Sequence, residues 1–218
     1  MAEENKAEEN MAEENKAEEN MAEENKAEEK KAEEKKAEEK RAEEKRAEEI
    51  IVEESMIAKK VKGKFPGALL GVKKFKDELT LCIGKDDIQS ISKFLRDDDE
   101  LAFDFLSDLC GVDKTRLDDS NSFEVVYHLY SLKRNHRVRL KVQIPVSEPN
   151  ISTVTNVWNT ANWHEREAFD MFGIVFEGHP CLERILTPDG FEGHPLRKDY
   201  PLKGRQPESL KEVYRKGK

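Results

Sequence analysis

The chain is poor in the features that mark secreted, membrane-spanning or nucleotide-binding proteins. Its 218 residues include three cysteines, Cys82, Cys110 and Cys181, and no CxxC pair. A disulfide framework, or an iron–sulfur cluster held by this chain alone, is therefore not expected. No run of about 18 apolar residues occurs, so no bilayer-spanning helix is expected. The N-terminus lacks an apolar stretch of signal-peptide type, which leads us to expect an intracellular protein. No GxxxxGK[ST], no GxGxxG after a strand and no GxSxG is present. The usual means of cradling a phosphate or forming a covalent intermediate are thus missing. Glycine and proline are absent from the first 50 residues.

What fills those first 50 residues is one pentapeptide, x-A-E-E-x, repeated ten times. The repeat holds 20 Glu against 11 Lys and Arg, and so carries −9, the formal charge of the entire chain. Residues 51–218 hold 27 acidic and 27 basic side chains. The body is charge-balanced, with no basic excess pointing to nucleic acid. A five-residue period advances about 140° beyond one helical turn, so no side of a repeat helix stays apolar. There is no heptad, which disfavours a coiled coil. Spacings such as Glu33 with Lys36 give weak helical support. The repeat reads as a disordered or solvated-helix tail, or as a docking arm for a basic partner.

Ordered structure is expected from about residue 51. Met56, Ile57, Val61 and Phe65 form a short helical stripe ended by Pro66-Gly67. Residues 68–75 and 79–83 read as strands. Asp86 or Asp87 can cap a helix carrying Ile88, Ile91, Phe94 and Leu95. Leu101 to Leu109 fits a strand or a helix. Residues 123–132 and 137–144 alternate cleanly and form a hairpin, with Arg137, Arg139 and Lys141 on one face. That face is either solvated or turned to an acidic partner. Val154, Trp158, Ala161, Phe169 and Phe172 then suggest a helix that Asn159-Thr160 can interrupt, followed by a strand-like Ile174-Val175-Phe176. Residues 178–218 contain five Gly and five Pro and no regular period. They read as an extended arm that needs another surface to rest on. The expected class is α+β: a small mixed or antiparallel sheet with helices on it, plus an irregular C-terminal arm. The expected divisions are 1–50, 51–177 and 178–218.

Candidate chemistry is sparse. His164-Glu165-Arg166-Glu167-Ala168 begins like HExxH, but Ala168 stands where the second imidazole must be. His179, Cys181 and His194 lack the close pairing of zinc ligands. Glu165 and Glu167 point about 200° apart on a helix and do not converge as an acid/base pair. Glu165 lies in the apolar stripe and calls for a partner, with Arg184 a natural candidate. Arg166 and Asp170 can pair at i, i+4. These residues describe a non-catalytic domain rather than a hydrolase.

The stretch Asn162-Trp163-His164-Glu165-Arg166-Glu167-Ala168-Phe169-Asp170-Met171-Phe172-Gly173-Ile174 is the most distinctive in the chain. It continues through His179-Pro180, Arg184-Ile185-Leu186 and Gly190-Phe191-Glu192-Gly193-His194-Pro195-Leu196-Arg197-Lys198-Asp199-Tyr200-Pro201-Leu202. Together these resemble the thirty-kilodalton subunit family of NADH-quinone oxidoreductase, the small hydrophilic subunit of respiratory complex I. Glu183 and Cys181 depart from the residues common there. The resemblance implies a non-catalytic structural subunit of the peripheral arm, with no catalytic, cofactor or metal residue of its own. It implies iron–sulfur clusters and quinone elsewhere in the complex, with flavin and NAD where NADH is the donor. It implies two partners, a hydrogenase-like large subunit at the quinone site and a cluster-bearing small subunit. Neither nucleic acid nor direct membrane insertion is implied. The place would be the cytoplasmic face of the cell membrane, reached through the complex. The implied signature and interface residues are Trp163, Glu165, Arg166, Glu167, Asp170, Phe172, Gly173, His179, Pro180, Arg184, Phe191, Glu192, Gly193, His194, Pro195, Arg197, Lys198, Asp199, Tyr200 and Pro201. Deazaflavin- or ferredoxin-dependent respiratory dehydrogenases and membrane-bound nickel-iron hydrogenases carry a similar subunit and form the alternative.

Overall fold

The computed structural model describes residues 55–117 and 121–204. The readings made for the pentapeptide repeat and for the arm beyond residue 204 lie outside the described residues.

Helix α1 spans Met56–Lys64. Ser55 caps it by accepting the Ala58 N–H at 3.2 Å, and Lys62 and Lys64 sit in its last turn, where carbonyl ends favour cations. Strands β1 (Leu69–Phe75) and β2 (Glu78–Ile83) form a hairpin whose two-residue turn, Lys76-Asp77, has both φ angles positive. That turn twists in the sense the strands need. A short 3-10 turn, Lys85–Asp87, leads into α2 (Ile88–Asp97). Asp87 makes no side-chain cap bond, so the expected carboxylate cap is replaced by a continuous turn into the helix.

The chain then reaches β3 (Phe105–Asp113), β4 (Ser122–Ser131) and β5 (His136–Pro145). The segment Leu101–Leu109, whose period fits either element, forms a turn and then strand. The five-stranded sheet has the order β1-β2-β5-β4-β3. All its pairings are antiparallel except β2 with β5. The α2 crossover carries the chain from one side of the sheet to the far edge, and the β3-β4-β5 meander brings it back beside β2.

The core lies on one face of this sheet. Val125, Tyr127 and Leu129 of β4 are buried with Leu140 and Val142 of β5 and with Ile88, Ile91 and Leu95 of α2. The opposite register carries Arg137, Arg139 and Lys141. This row is not simply solvated: Arg139 pairs with Glu78, Lys141 Nζ lies 2.8 Å from Glu124, and Arg137 sits over the Tyr130 ring.

A second, two-stranded sheet pairs β6 (Asn150–Ser152) in parallel with β7 (Val175–Glu177). Between them in the chain lies α3, Ala161–Phe172. The apolar stripe that starts at Val154 is only partly helical. Val154 and Trp158 are buried, but they lie before the helix in a turn segment, and the interruption at Asn159-Thr160 is real. Among the described residues, no helix is long and apolar enough to cross a membrane.

Candidate interface built by helix α3 and the arm

Helix α3 packs against β3, where the absence of a side chain at Gly111 lets the Phe172 ring lie on the strand. A Cβ at Gly111 would stand 2.6 Å from Phe172 Cδ2. The helix buries Ala161, Glu165, Ala168, Asp170, Met171 and Phe172 and turns Trp163 outward. It ends at Gly173, whose φ of 71° is the left-handed conformation that closes a helix without a Cβ penalty.

Two buried carboxylates organise what surrounds this helix. Glu165 is fully buried. Its oxygens accept the Thr153 hydroxyl at 2.5 Å and the Val154 N–H at 2.7 Å. The expected partner, Arg184, is not there. Burial pushes the Glu165 carboxyl up to about 7, against the opposing effect of those two hydrogen bonds. Glu165 thus ties α3 to the end of β6. Glu167, two residues on, is exposed, so the two glutamates diverge as their spacing required.

Asp170 is the centre of the arm. Its Oδ1 accepts Arg184 Nη1 at 2.8 Å and the Thr187 hydroxyl at 2.5 Å. Its Oδ2 accepts the N–H groups of Ile185, Leu186 and Thr187 at 3.1, 2.8 and 2.8 Å. Burial works to raise this carboxyl, but the bonds from Thr187, Leu186 and Arg184 outweigh it and hold Asp170 at about 2. The expected Arg166–Asp170 pair does not form. Arg166 instead donates to the carbonyls of Glu183 and Arg184, at 3.1 and 3.4 Å, and lies over the Trp163 ring. Each charged group meets backbone of the arm rather than its helical neighbour, because an irregular arm packed on the body leaves N–H and C=O groups in need of partners.

The rest of the arm follows the same logic. His179 meets the Asn162 carbonyl through Nε2 and receives the Cys181 N–H at Nδ1. Arg184 donates to the Gly193 carbonyl at 3.0 Å and lies over Phe191, which stacks on Tyr200. His194 Nδ1 is 3.0 Å from the Asp170 carbonyl. Burial, with Arg197 and Arg184 nearby, holds this imidazole below its usual range, although the Asp170 carbonyl opposes them. Arg197 donates to the Phe172 carbonyl and lies over the Phe123 ring. The Lys198 N–H reaches Asp113 Oδ2 at 2.7 Å.

Residues 178–204 contain no helix or strand, in keeping with their irregular period. Over residues 178–204 the surface they rest on is the body of this same chain. Pro180, Glu192, Gly193, Lys198 and Asp199 are exposed, while Pro195, Tyr200 and Pro201 are half-buried. Asp113 is a contact that the sequence does not announce. Its role depends on β3 lying beneath the arm, and the 85 residues separating it from Lys198 give no local signal.

Comparison with known proteins places this architecture. Residues 81–206 match the family model described as "Respiratory-chain NADH dehydrogenase, 30 Kd subunit". An NADH-quinone oxidoreductase subunit from Roseiflexus castenholzii is 49% identical over 146 residues, covering 67% of this chain and 83% of that one. Its counterpart from Geotalea uraniireducens is 45% identical over 152 residues, covering 70% and 90%. Among solved structures, a chain of the membrane-bound sulfane sulfur reductase, an archaeal respiratory membrane complex, shares the fold with a TM-score of 0.57 and 24% identity, over 73% of this chain and 89% of that one. The family match runs from within β2 through α2, β3 to β7 and α3 and takes in all of the described arm, and the chain belongs to the respiratory-chain NADH dehydrogenase 30 kDa subunit family.

Proposed function

We propose that this chain is a structural subunit in the peripheral arm of a proton-translocating NADH-quinone oxidoreductase. In this reading it binds the large quinone-site subunit, lies near the cluster-bearing small subunit and supports electron transfer to quinone without doing redox chemistry itself. Iron–sulfur clusters, quinone, flavin and NAD belong to its partners. The complex holds it at the cytoplasmic face of the membrane.

The observation that carries the reading is the outward face of the fastened arm. Trp163 on α3 is 61% exposed, and Leu186, Leu196 and Leu202 on the arm that packs beside that helix are 60%, 52% and 104% exposed. Preordered apolar side chains lose little entropy on docking and are the usual anchors of an interface. Phe191, His194, Arg197 and Tyr200 act by holding that face in shape, and Lys198 and Asp199 form its polar rim. The proposal is tested by expressing the chain with its complex and measuring co-purification. Leu196→Asp combined with Trp163→Ala is expected to release the subunit while leaving its circular dichroism and melting unchanged. Deleting residues 190–203 is expected to abolish assembly. A functional, monodisperse complex built with the deleted chain would overturn the reading.

A further inference from the structure

The face of the main sheet turned away from the core carries a cluster that the interface does not use. A bulge between Leu106 and Asp108 sets Asp108 opposite His128, and two residues on Cys110 faces Val126. A carboxylate oxygen of Asp108, the Cys110 sulfur and a ring nitrogen of His128 all lie within 4.8 Å of one another. Among the described residues this is the one group of three such donors that comes so close.

The geometry points to a surface site for a single divalent cation of the zinc class, ligated by Asp108, Cys110 and His128. Tetrahedral coordination at 2.0–2.3 Å sets donors roughly 3.3–3.8 Å apart, so closure needs side-chain rotation of about 1 Å and no movement of the sheet. A sulfur, an imidazole nitrogen and one oxygen form a mixed set that suits zinc and disfavours magnesium and calcium, which prefer oxygen alone. Three protein ligands leave the fourth position to water or to a partner's side chain. Asp108 and His128 also line an open cleft of about 380 Å³, which gives the ion a path in. Carboxylates and cations both act on the site: Asp108 and Glu167 on the Cys110 sulfur are opposed by Lys141 and Arg139, which are themselves paired with Glu124 and Glu78. His164 Nδ1 of α3 lies 3.7 Å from Asp108 Oδ1, where a small shift lets it orient that carboxylate. On binding, the Cys110 thiol loses its proton to solvent and the thiolate bonds the metal.

The inference is independent of the proposed assembly role and is tested on the full-length chain. Zinc(II) is titrated against a competing chromogenic chelator. Cobalt(II) is added separately to read the thiolate-to-metal absorption band, and alkylation of the three cysteines is mapped with and without zinc. One equivalent of zinc, a cobalt–thiolate band and selective protection of Cys110 are expected. Cys110→Ser and His128→Ala are each expected to weaken binding at least about tenfold, whereas Cys181→Ser leaves it unchanged. The alkylation map on the unaltered chain keeps the test decisive if a variant misfolds. Absence of saturable binding, affinity unchanged in Cys110→Ser, or protection at Cys181 in place of Cys110 would each overturn the site.

Discussion

Glu165 and Asp170 share one helix and are both buried, yet their surroundings drive their carboxyls in opposite directions. Asp170 receives five hydrogen bonds, one from a guanidinium, and its pKa is depressed to about 2. An unfolded aspartate titrates near 3.9, so this group's contribution, about 2 kcal/mol, is complete above pH ~4 and lost as pH falls toward ~2. Asp170→Asn is expected to destabilise the chain by about 3 kcal/mol, because Arg184 and the Ile185–Thr187 amides lose their anion. Urea unfolding measures this loss, and limited proteolysis should find residues 178–204 newly accessible. Glu165 has only two hydrogen-bond donors against full burial, and its pKa is raised to about 7. Between pH ~4.3 and ~7 the unfolded state sheds this proton while the folded state keeps it. Stability therefore falls across that window as pH rises, by on the order of 3 kcal/mol, and is flat above it. Glu165→Gln keeps an acceptor for Val154 and removes the charge. It is expected to be more stable than the parent at pH 8 and to lose that part of the slope between pH 5 and pH 8. An unchanged slope would show that another group sets the pH dependence.

The same logic of fit governs the elements. Gly173 ends α3 with φ at 71°, and a Cβ there would meet Arg197 Nη2 and His194 Nε2 at 2.5 Å each. Gly173→Ala is expected to cost more than about 1 kcal/mol from backbone strain alone and to displace the arm's two central side chains. A lower melting temperature with faster cleavage after residue 178 checks this. Gly111→Ala forces the Phe172 ring off β3, an overpacking effect of about 1–3 kcal/mol, and Phe172→Leu in the same chain should restore part of it. The β4–β5 hairpin was legible because its alternation runs for a full strand on each side. Three-residue β6 was not, because so short a segment has no period of its own and exists through pairing with β7. Val154 and Trp158 are apolar and buried at helical spacing, but tight turns can space buried residues in the same way. Asp170's true partners were hidden for a related reason: at i, i+4 a helix always offers a neighbour, and only the folded arm supplies a better one.

At the scale of the whole molecule, charge is divided unevenly along the chain. The repeat carries the full −9 and the remaining 168 residues are balanced. A chain beginning at residue 51 is therefore expected to focus well above the full chain's pI of about 5.3. Isoelectric focusing of the two forms checks this. The order of residues already settled the charge distribution, the α+β class, the irregularity of the arm and the family signature from Asn162 to Leu202. Those are properties of composition, period and contiguous pattern, which need no knowledge of what lies across space. Folding had to settle the sheet order, the parallel pairing of β2 with β5, the fastening of the arm to Asp170 and the meeting of Asp108, Cys110 and His128. Each joins residues distant in sequence through strand register or a buried polar contact. Their partners are chosen by the cost of leaving buried groups unsatisfied, and no local stretch of sequence records that cost.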